Sequence, residues 1–190
     1  MVSAAEMLSI AAFLEGRYAQ AFPSFGSERM GAPVMAFCRI EDHPIRLREP
    51  VVRPDAVIIQ DPTLLHQSGI FEGLSPSGYL LINSGRGLNE LGIGAAVAAL
   101  AEGHARTVPA TELALRHIGR PLPNSTLLGG FAAMTGALKL ESVLAAIRSK
   151  FPGKIGESNA AAAEAAYQLV VEEMARVTGG AREEVHVEAN

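Results

Sequence analysis

Three short apolar runs constrain this chain more than any other feature: Ala56-Val57-Ile58-Ile59, Tyr79-Leu80-Leu81-Ile82 and a stretch at about 105–108 ending in Thr107-Val108. The first two are short and lack the polar alternation of a half-exposed strand. Such runs read as strands buried on both faces. Helical signals separate them. Asp61-Pro62-Thr63 opens a short helical turn through Leu65, and the alanine-rich stretch from Ile93 to Ala101 reads as helix. Strands that alternate with helical segments give a parallel sheet whose crossovers lie on its faces.

The expected class is therefore α/β: a Rossmann-like, mostly parallel sheet with helices on both faces, plus an antiparallel hairpin. Ligands in such sheets sit at the carboxyl ends of the strands. Here those ends are Gln60-Asp61-Pro62, Asn83-Ser84-Gly85 and Pro109-Ala110-Thr111. Upstream, Ser3-Ala4-Ala5-Glu6 is a capping box. It predicts a helix to about Leu14, with Leu8, Ala11 or Ala12, and Leu14 facing inward and Gly16 ending it. Tyr18 to Phe22 and Pro33 to Ile40 read as strands. Ile45 to Val52 reads as a return strand that would complete the hairpin after the turn Glu41-Asp42-His43-Pro44.

Downstream, Thr111 opens a helix through His117, and Pro121-Leu122-Pro123 leads into another with Asn124 or Ser125 as N-cap. Gly129, Gly130 and Gly136 lower helix propensity in that segment, so their return is close backbone approach to a neighbour or a ligand. Leu140 to Lys150 and Ser158 to Met174 are the last helices, and in the latter Ala163, Tyr167, Val170 and Met174 share a face. Residues 1–177 read as one domain. The tail 178–190, with Gly179-Gly180 and Arg182-Glu183-Glu184, lacks a core pattern and is expected to be mobile or docked on a partner.

Composition excludes several classes. The 190 residues are 48% apolar and 19% charged with net charge −4, a globular balance. No basic stripe is present, which argues against nucleic acid. No stretch of about 18 apolar residues predicts a membrane span, and no leader pattern is visible, so the cytoplasm is the expected location. The single cysteine, Cys38, lies in an apolar run and reads as a small buried hydrophobe. An iron–sulfur cluster takes about four thiolates, so cluster chemistry would belong to another chain. The five histidines, at 43, 66, 104, 117 and 186, show no metal-ligand spacing, and no nucleotide-binding glycine motif, Walker motif or nucleophile elbow is present.

Candidate chemistry rests on loops. Asn83-Ser84-Gly85-Arg86-Gly87 is either a simple turn or a polar nest presenting N–H groups and Arg86 to a phosphate. Asp61 before Pro62 is either a helix cap or a ligand contact. Tyr18 to Phe37 joins two apolar runs through a loop containing Pro23-Ser24-Phe25-Gly26-Ser27-Glu28-Arg29-Met30-Gly31-Ala32-Pro33. There Glu28-Arg29 is a solvated pair, an interface anchor or an anion contact. Phe22 and Phe25 are core residues or an aromatic subunit seam.

That loop, followed by Val34, resembles the signature of the gamma subunit of the 2-oxoacid:acceptor oxidoreductases, the thiamine-diphosphate, iron–sulfur and coenzyme A enzymes typified by pyruvate:ferredoxin oxidoreductase. Val2-Ser3-Ala4-Ala5-Glu6, Ile45-Arg46, Pro54-Asp55, Asp61-Pro62, Asn83-Ser84 and Pro123-Asn124 before Leu128-Gly129 continue the resemblance in family order, to about Val171. One departure stands out: the family's first strand and Gly-Gly-x-Gly turn do not precede the first helix. Either the start lies at an internal methionine or this member lacks the element.

The resemblance implies a non-catalytic subunit of a complex that oxidatively decarboxylates a 2-oxoacid, pyruvate or an aromatic one such as phenylglyoxylate, to an acyl-CoA. It implies thiamine diphosphate, Mg and 4Fe–4S clusters on alpha, beta and ferredoxin-like delta subunits. The acceptor is ferredoxin, or NAD through a flavin (FAD) subunit. Coenzyme A is the substrate whose approach this subunit would help to shape. By residue, the resemblance carries over Ser24, Ser27, Arg29, Asn83, Ser84 and Asn124 as coenzyme A or interface contacts. Two other classes compete with it: a free-standing small-molecule-binding α/β protein, and a self-sufficient enzyme such as a hydrolase.

Overall fold

The computed structural model describes residues 2–24, 34–47, 49–67 and 69–187, with side chains as far as 177. Helix α1 (Val2–Leu14) leads into strand β1 (Tyr18–Ser24), which pairs antiparallel with β2 (Met35–Glu41). Next come β3 (Ala56–Ile59), a 3-10 turn over Pro62–His66, β4 (Tyr79–Asn83), a second 3-10 turn over Leu88–Leu91, and α2 (Gly94–Ala98). Strand β5 (Ala105–Val108) follows, then α3 (Ala110–Ile118), α4 (Asn124–Thr135), α5 (Leu140–Lys150) and α6 (Lys154–Val187). The fold is α/β, with a three-stranded parallel sheet in the order β3-β4-β5 and a separate two-stranded hairpin.

The apolar runs that announced the parallel strands are buried for the expected reason. Their side chains alternate between two cores. Ala56, Ile58, Leu81 and Val108 face a large cluster built with α1, α3, α4, α5 and α6. Val57, Ile59, Leu80, Ile82 and Ala105 face a smaller cluster closed by the two 3-10 turns, α2 and the segment around Ile70, Phe71 and Leu74. Both faces are covered, so no polar alternation is needed.

The hairpin differs from the expected one. Its partners are β1 and β2, in register from Tyr18↔Glu41 to Ser24↔Met35. Residues 44–47 and 49–52 form no strand; Arg39 instead donates to the Leu47 and Glu49 carbonyls. Ala19, Cys38 and Ile40 face the core, and the hairpin packs on α1. The opposite face carries Phe22 and Phe37, whose rings lie 5.5 Å apart. At the base, Arg17 pairs with Asp42 at 2.9 Å and donates to the Ala137 carbonyl. Cys38 is partly buried, and the loss of water around it pushes its thiol up to about 12.

Several boundaries shift. Helix α1 starts at Val2, so Ser3 lies inside it and is not its cap. Met7 is fully buried and Leu14 is half-exposed, because α1 is sandwiched between the hairpin and α4 and α5 rather than packed on one face. Only Gly94–Ala98 of the 93–101 stretch is α-helix. Helix α4 begins at Asn124 itself with Pro123 at the cap position, so neither Asn124 nor Ser125 caps it. Helix α6 begins at Lys154 and its backbone runs on to Val187, beyond the expected end at Met174.

Of the three glycines expected to allow close backbone approach, Gly129 does so, Gly130 meets the side chains of Val108, Val170 and Leu81, and Gly136 instead ends α4 in the left-handed region with nothing against it. A Cβ on Gly129 would lie 1.8 Å from the Ala163 carbonyl oxygen, so α4 and α6 meet backbone to backbone. The alanine bias of α6 is the other half of that contact: Ala160, Ala162, Ala163 and Ala166 are all buried. One buried polar bridge spans the same pair of helices. Ser125 Oγ donates to Asn159 Oδ1 at 2.6 Å, and Asn159 Nδ2 donates to the Ile155 carbonyl.

Candidate functional site

A crevice of about 470 Å³ opens at the carboxyl ends of β4 and β5, lined by Pro62, Asn83, Ser84, Gly85, Arg86, Pro109, Thr111 and Glu112. Strands that end together expose their last peptide groups and the first turns of the following helices, which is why α/β sheets bind ligands there. A second hollow of about 410 Å³ is lined only by residues 39–47 of one continuous segment. It lacks the convergence of separate elements that marks the first.

Asn83 builds the floor. Its Nδ2 donates to the Gln60 carbonyl and to Thr111 Oγ1, both at 2.8 Å, while its Oδ1 accepts from the Thr111 backbone N–H at 3.1 Å. One buried amide thus ties the end of β3, the end of β4 and the first turn of α3. The network continues sideways, because Gln60 Nε2 donates to Asn124 Oδ1 at the start of α4. Ser84 shapes the loop above: its backbone N–H donates to the Val108 carbonyl, and its Oγ accepts from the Arg86 N–H at 2.9 Å and donates to the Arg86 carbonyl. The hydrogen bonds of Asn83 and Ser84 are therefore largely internal. They fix geometry and leave ligand contact to their neighbours.

Two charges stand at the crevice. Arg86 is exposed and makes no ion pair among the described residues. Glu112, in the first turn of α3, has an i,i+4 contact with Arg116 at 4.0 Å. Gly85 admits the Glu112 carboxylate: a Cβ there would come within 2.7 Å of Glu112 Oε1. Asp61 takes the cap role. Its carboxylate accepts from Thr63 N at 2.9 Å and Thr63 Oγ1 at 2.7 Å, and those bonds hold its pKa below the usual value.

The expected site residues divide into three sets. Asn83 and Ser84 come together in the crevice, and Asn124 joins them through Gln60. Ser24 sits at the far end of β1 opposite Met35 and does not line the crevice. Ser27 and Arg29, with Phe25 and Glu28, lie outside the described residues. The roles of Gln60, Thr111 and Glu112 were missed, although Gln60 and Thr111 fall in the strand-end segments that the sequence singles out. Among the described residues no three His, Cys, Asp or Glu side chains converge as metal ligands. No described helix is long and apolar enough to cross a membrane. His104 stacks on Tyr79 with ring centroids 4.1 Å apart, and its Nδ1 donates to the Ser77 carbonyl, so its role is structural.

Comparison with known proteins identifies the family. The sequence model of the family described as pyruvate ferredoxin/flavodoxin oxidoreductase matches residues 1–169. Pyruvate synthase subunit PorC of Methanothermobacter marburgensis is 46% identical over 167 residues, covering 88% of this chain and 89% of its own. The pyruvate/ketoisovalerate oxidoreductases common subunit gamma of Thermococcus kodakarensis is 44% identical over 172 residues, 90% of each chain. The crystal structure of pyruvate oxidoreductase subunit PORC from Thermotoga maritima superposes with a TM-score of 0.71 at 36% identity, covering 88% of both chains. Matched in sequence and fold over nearly its whole length, the chain belongs to the pyruvate ferredoxin/flavodoxin oxidoreductase family, as a gamma subunit of a 2-oxoacid oxidoreductase.

Proposed function

We propose that this subunit shapes the coenzyme A side of a complex that oxidatively decarboxylates a 2-oxoacid, pyruvate in the first instance, to an acyl-CoA. Relatives named for pyruvate synthase and for pyruvate/ketoisovalerate oxidoreductases support that substrate class. An aromatic 2-oxoacid such as phenylglyoxylate remains an outcome of substrate profiling. The observation that carries the reading is the strand-end crevice lined by Asn83, Ser84 and Thr111, whose floor Asn83 fixes by bonding Thr111 and the Gln60 carbonyl. Such a preset site suits binding and orientation.

Alpha, beta and ferredoxin-like delta subunits would hold thiamine diphosphate with Mg and the 4Fe–4S clusters. Thiamine diphosphate supplies the decarboxylation chemistry when bound. A flavin subunit would pass electrons to NAD where ferredoxin is not the acceptor. This chain's share is to hold coenzyme A in one orientation, which converts an encounter into a positioned reaction. Residues 1–177 carry that role.

The test uses the assembled complex carrying Asn83→Ala or Ser84→Ala. The expected result is a raised KM for coenzyme A with the KM for the 2-oxoacid unchanged. An unchanged coenzyme A KM in both variants would overturn the reading. Purification of the native chain without larger partners would favour a free-standing binding protein.

A further inference from the structure

We propose that Ser125 and Asn159 are positioning residues: their buried bridge sets where the first turn of α4 sits, and Asn124 and Gln60 carry that placement to the Asn83 floor. Neither residue lines the crevice, and their role in the reaction rests on the coenzyme A reading above. The first turn of a helix is usually held by a side chain at its cap. Helix α4 has Pro123 in that place and no side-chain cap bond. Its opening residues Asn124, Ser125 and Thr126 are polar, and the last two are buried. Thr126 Oγ1 has no hydrogen-bond partner among the described residues, so it adds no directed tie. Direction comes from the other two. Asn124 Oδ1 accepts from Gln60 Nε2, and Ser125 Oγ donates to Asn159 Oδ1 on α6 at 2.6 Å. The Asn159 amide has one orientation available, because its Nδ2 is committed to the Ile155 carbonyl of its own helix.

The bridge does what the neighbouring backbone contact cannot. One turn further along both helices, Gly129 lies against Ala163. That contact limits how closely α4 and α6 approach, yet it has no direction and permits them to slide along their axes. A hydrogen bond weakens steeply as its geometry departs from ideal, so the Ser125–Asn159 pair sets the register of the two helices. Gln60 then links α4 to the floor with its two ends. Its side chain holds Asn124, and its backbone carbonyl receives Asn83 Nδ2 at 2.8 Å. Without the bridge, Asn124 loses its set place, Gln60 loses that acceptor, and the carbonyl that anchors Asn83 shifts with it. A displacement of about 1 Å suffices to spoil the orientation of a bound reactant.

The experiment uses the assembled complex with Ser125→Ala, Asn159→Ala, Asn83→Ala, Ser84→Ala and the double variant Asn83→Ala/Ser125→Ala. Glu157→Ala is the control, because Glu157 lies in the first turn of α6 but pairs with Arg148 and not with α4. Ser125→Ala and Asn159→Ala should each raise the KM for coenzyme A by roughly threefold to tenfold, the contribution of one neutral hydrogen bond. The KM for the 2-oxoacid should stay unchanged, and Glu157→Ala should leave both constants as they are. Ser125→Ala should add nothing in the Asn83→Ala background, because it acts through that floor. A merely structural role predicts lower thermal stability with the coenzyme A KM unmoved in both bridge variants, and that result would overturn the proposal. So would a Ser125→Ala effect that adds in full to that of Asn83→Ala. If Asn83→Ala and Ser84→Ala raise the coenzyme A KM while Ser125→Ala and Asn159→Ala are silent, the positioning role falls and the coenzyme A reading survives. If all four are silent, both fall. Co-purification with the partner subunits controls for folding, and Ser125→Ala, which removes a single hydroxyl, carries the test where Asn159→Ala does not assemble.

Discussion

Replacing Gly129 by alanine sets two effects against each other in a way the structure can decide. Alanine in place of a mid-helix glycine is worth about 1 kcal/mol in helix propensity. Against it, the new Cβ would stand 1.8 Å from the Ala163 carbonyl oxygen, 2.6 Å from its carbon and 3.0 Å from its Cα. All three are backbone atoms of α6, so no side chain can turn aside. Relief requires α4 and α6 to part by roughly 1.5 Å if the Cβ is to approach ordinary contact distance. A gap of that size forfeits much of the dispersion between Leu127, Leu128 and Phe131 on one side and Ala160, Ala166 and Val170 on the other. Overpacking of this kind costs typically about 1–3 kcal/mol and sometimes more. With no low-strain repacking available, the expected net is a loss of about 2 kcal/mol. Urea unfolding followed by circular dichroism measures it, and in a chain of this length the melting temperature should fall by about 4–8 °C. Gly130→Ala is the internal control: its Cβ meets the Val108 and Val170 methyl groups at 3.2 and 3.6 Å, which can shift. A Gly129→Ala protein as stable as the parent would refute the claim that the two helices touch through their backbones.

Other expectations follow from single contacts. Ser125→Ala leaves Asn159 Oδ1 without its buried donor and should cost about 1–3 kcal/mol of unfolding free energy, read by the same urea titration. Asn83→Asp replaces a donor facing the Gln60 carbonyl by an acceptor. The loss of stability should deepen as pH rises from 3 to 7, measured by thermal unfolding against pH. Cys38 gives the opposite end of the scale. Its folded pKa, pushed up to about 12, lies above the ordinary 9.0, so between those values the unfolded chain binds fewer protons than the folded one. Stability should therefore fall as pH climbs through that window. Cys38→Ala should flatten the decline, and an identical alkaline slope in both proteins would contradict the burial argument.

The legible parts of the sequence were those in which local chemistry and final environment agree. The runs at 56–59 and 79–82 became parallel strands because their apolar character on both faces matches two cores. The strand-end residues Asn83 and Ser84 became crevice floor because topology alone places them there. Ser3 misled because a capping box describes a possible helix start, while α1 begins one residue earlier. The expected return strand from Ile45 misled because the Leu47 and Glu49 carbonyls accept from the Arg39 side chain and not from a strand backbone. The missed roles of Gln60 and Glu112 have one cause. A side chain's partner across a sheet is set by packing between elements far apart in sequence, and no spacing rule carries it.

The two faces of the parallel sheet are closed unequally. Helices α3, α4 and α6 help to seal one, whereas short 3-10 turns, α2 and loop segments cover the other. Amides on the second side should exchange with solvent through cheaper local openings than those on the first. The Arg86 loop runs into that second side through Leu88 and Leu91, while Asn83 is held by the strand ladder and α3. The crevice thus has a stationary floor and a yielding rim, so a ligand can enter and leave on the timescale of loop breathing while the main core stays closed.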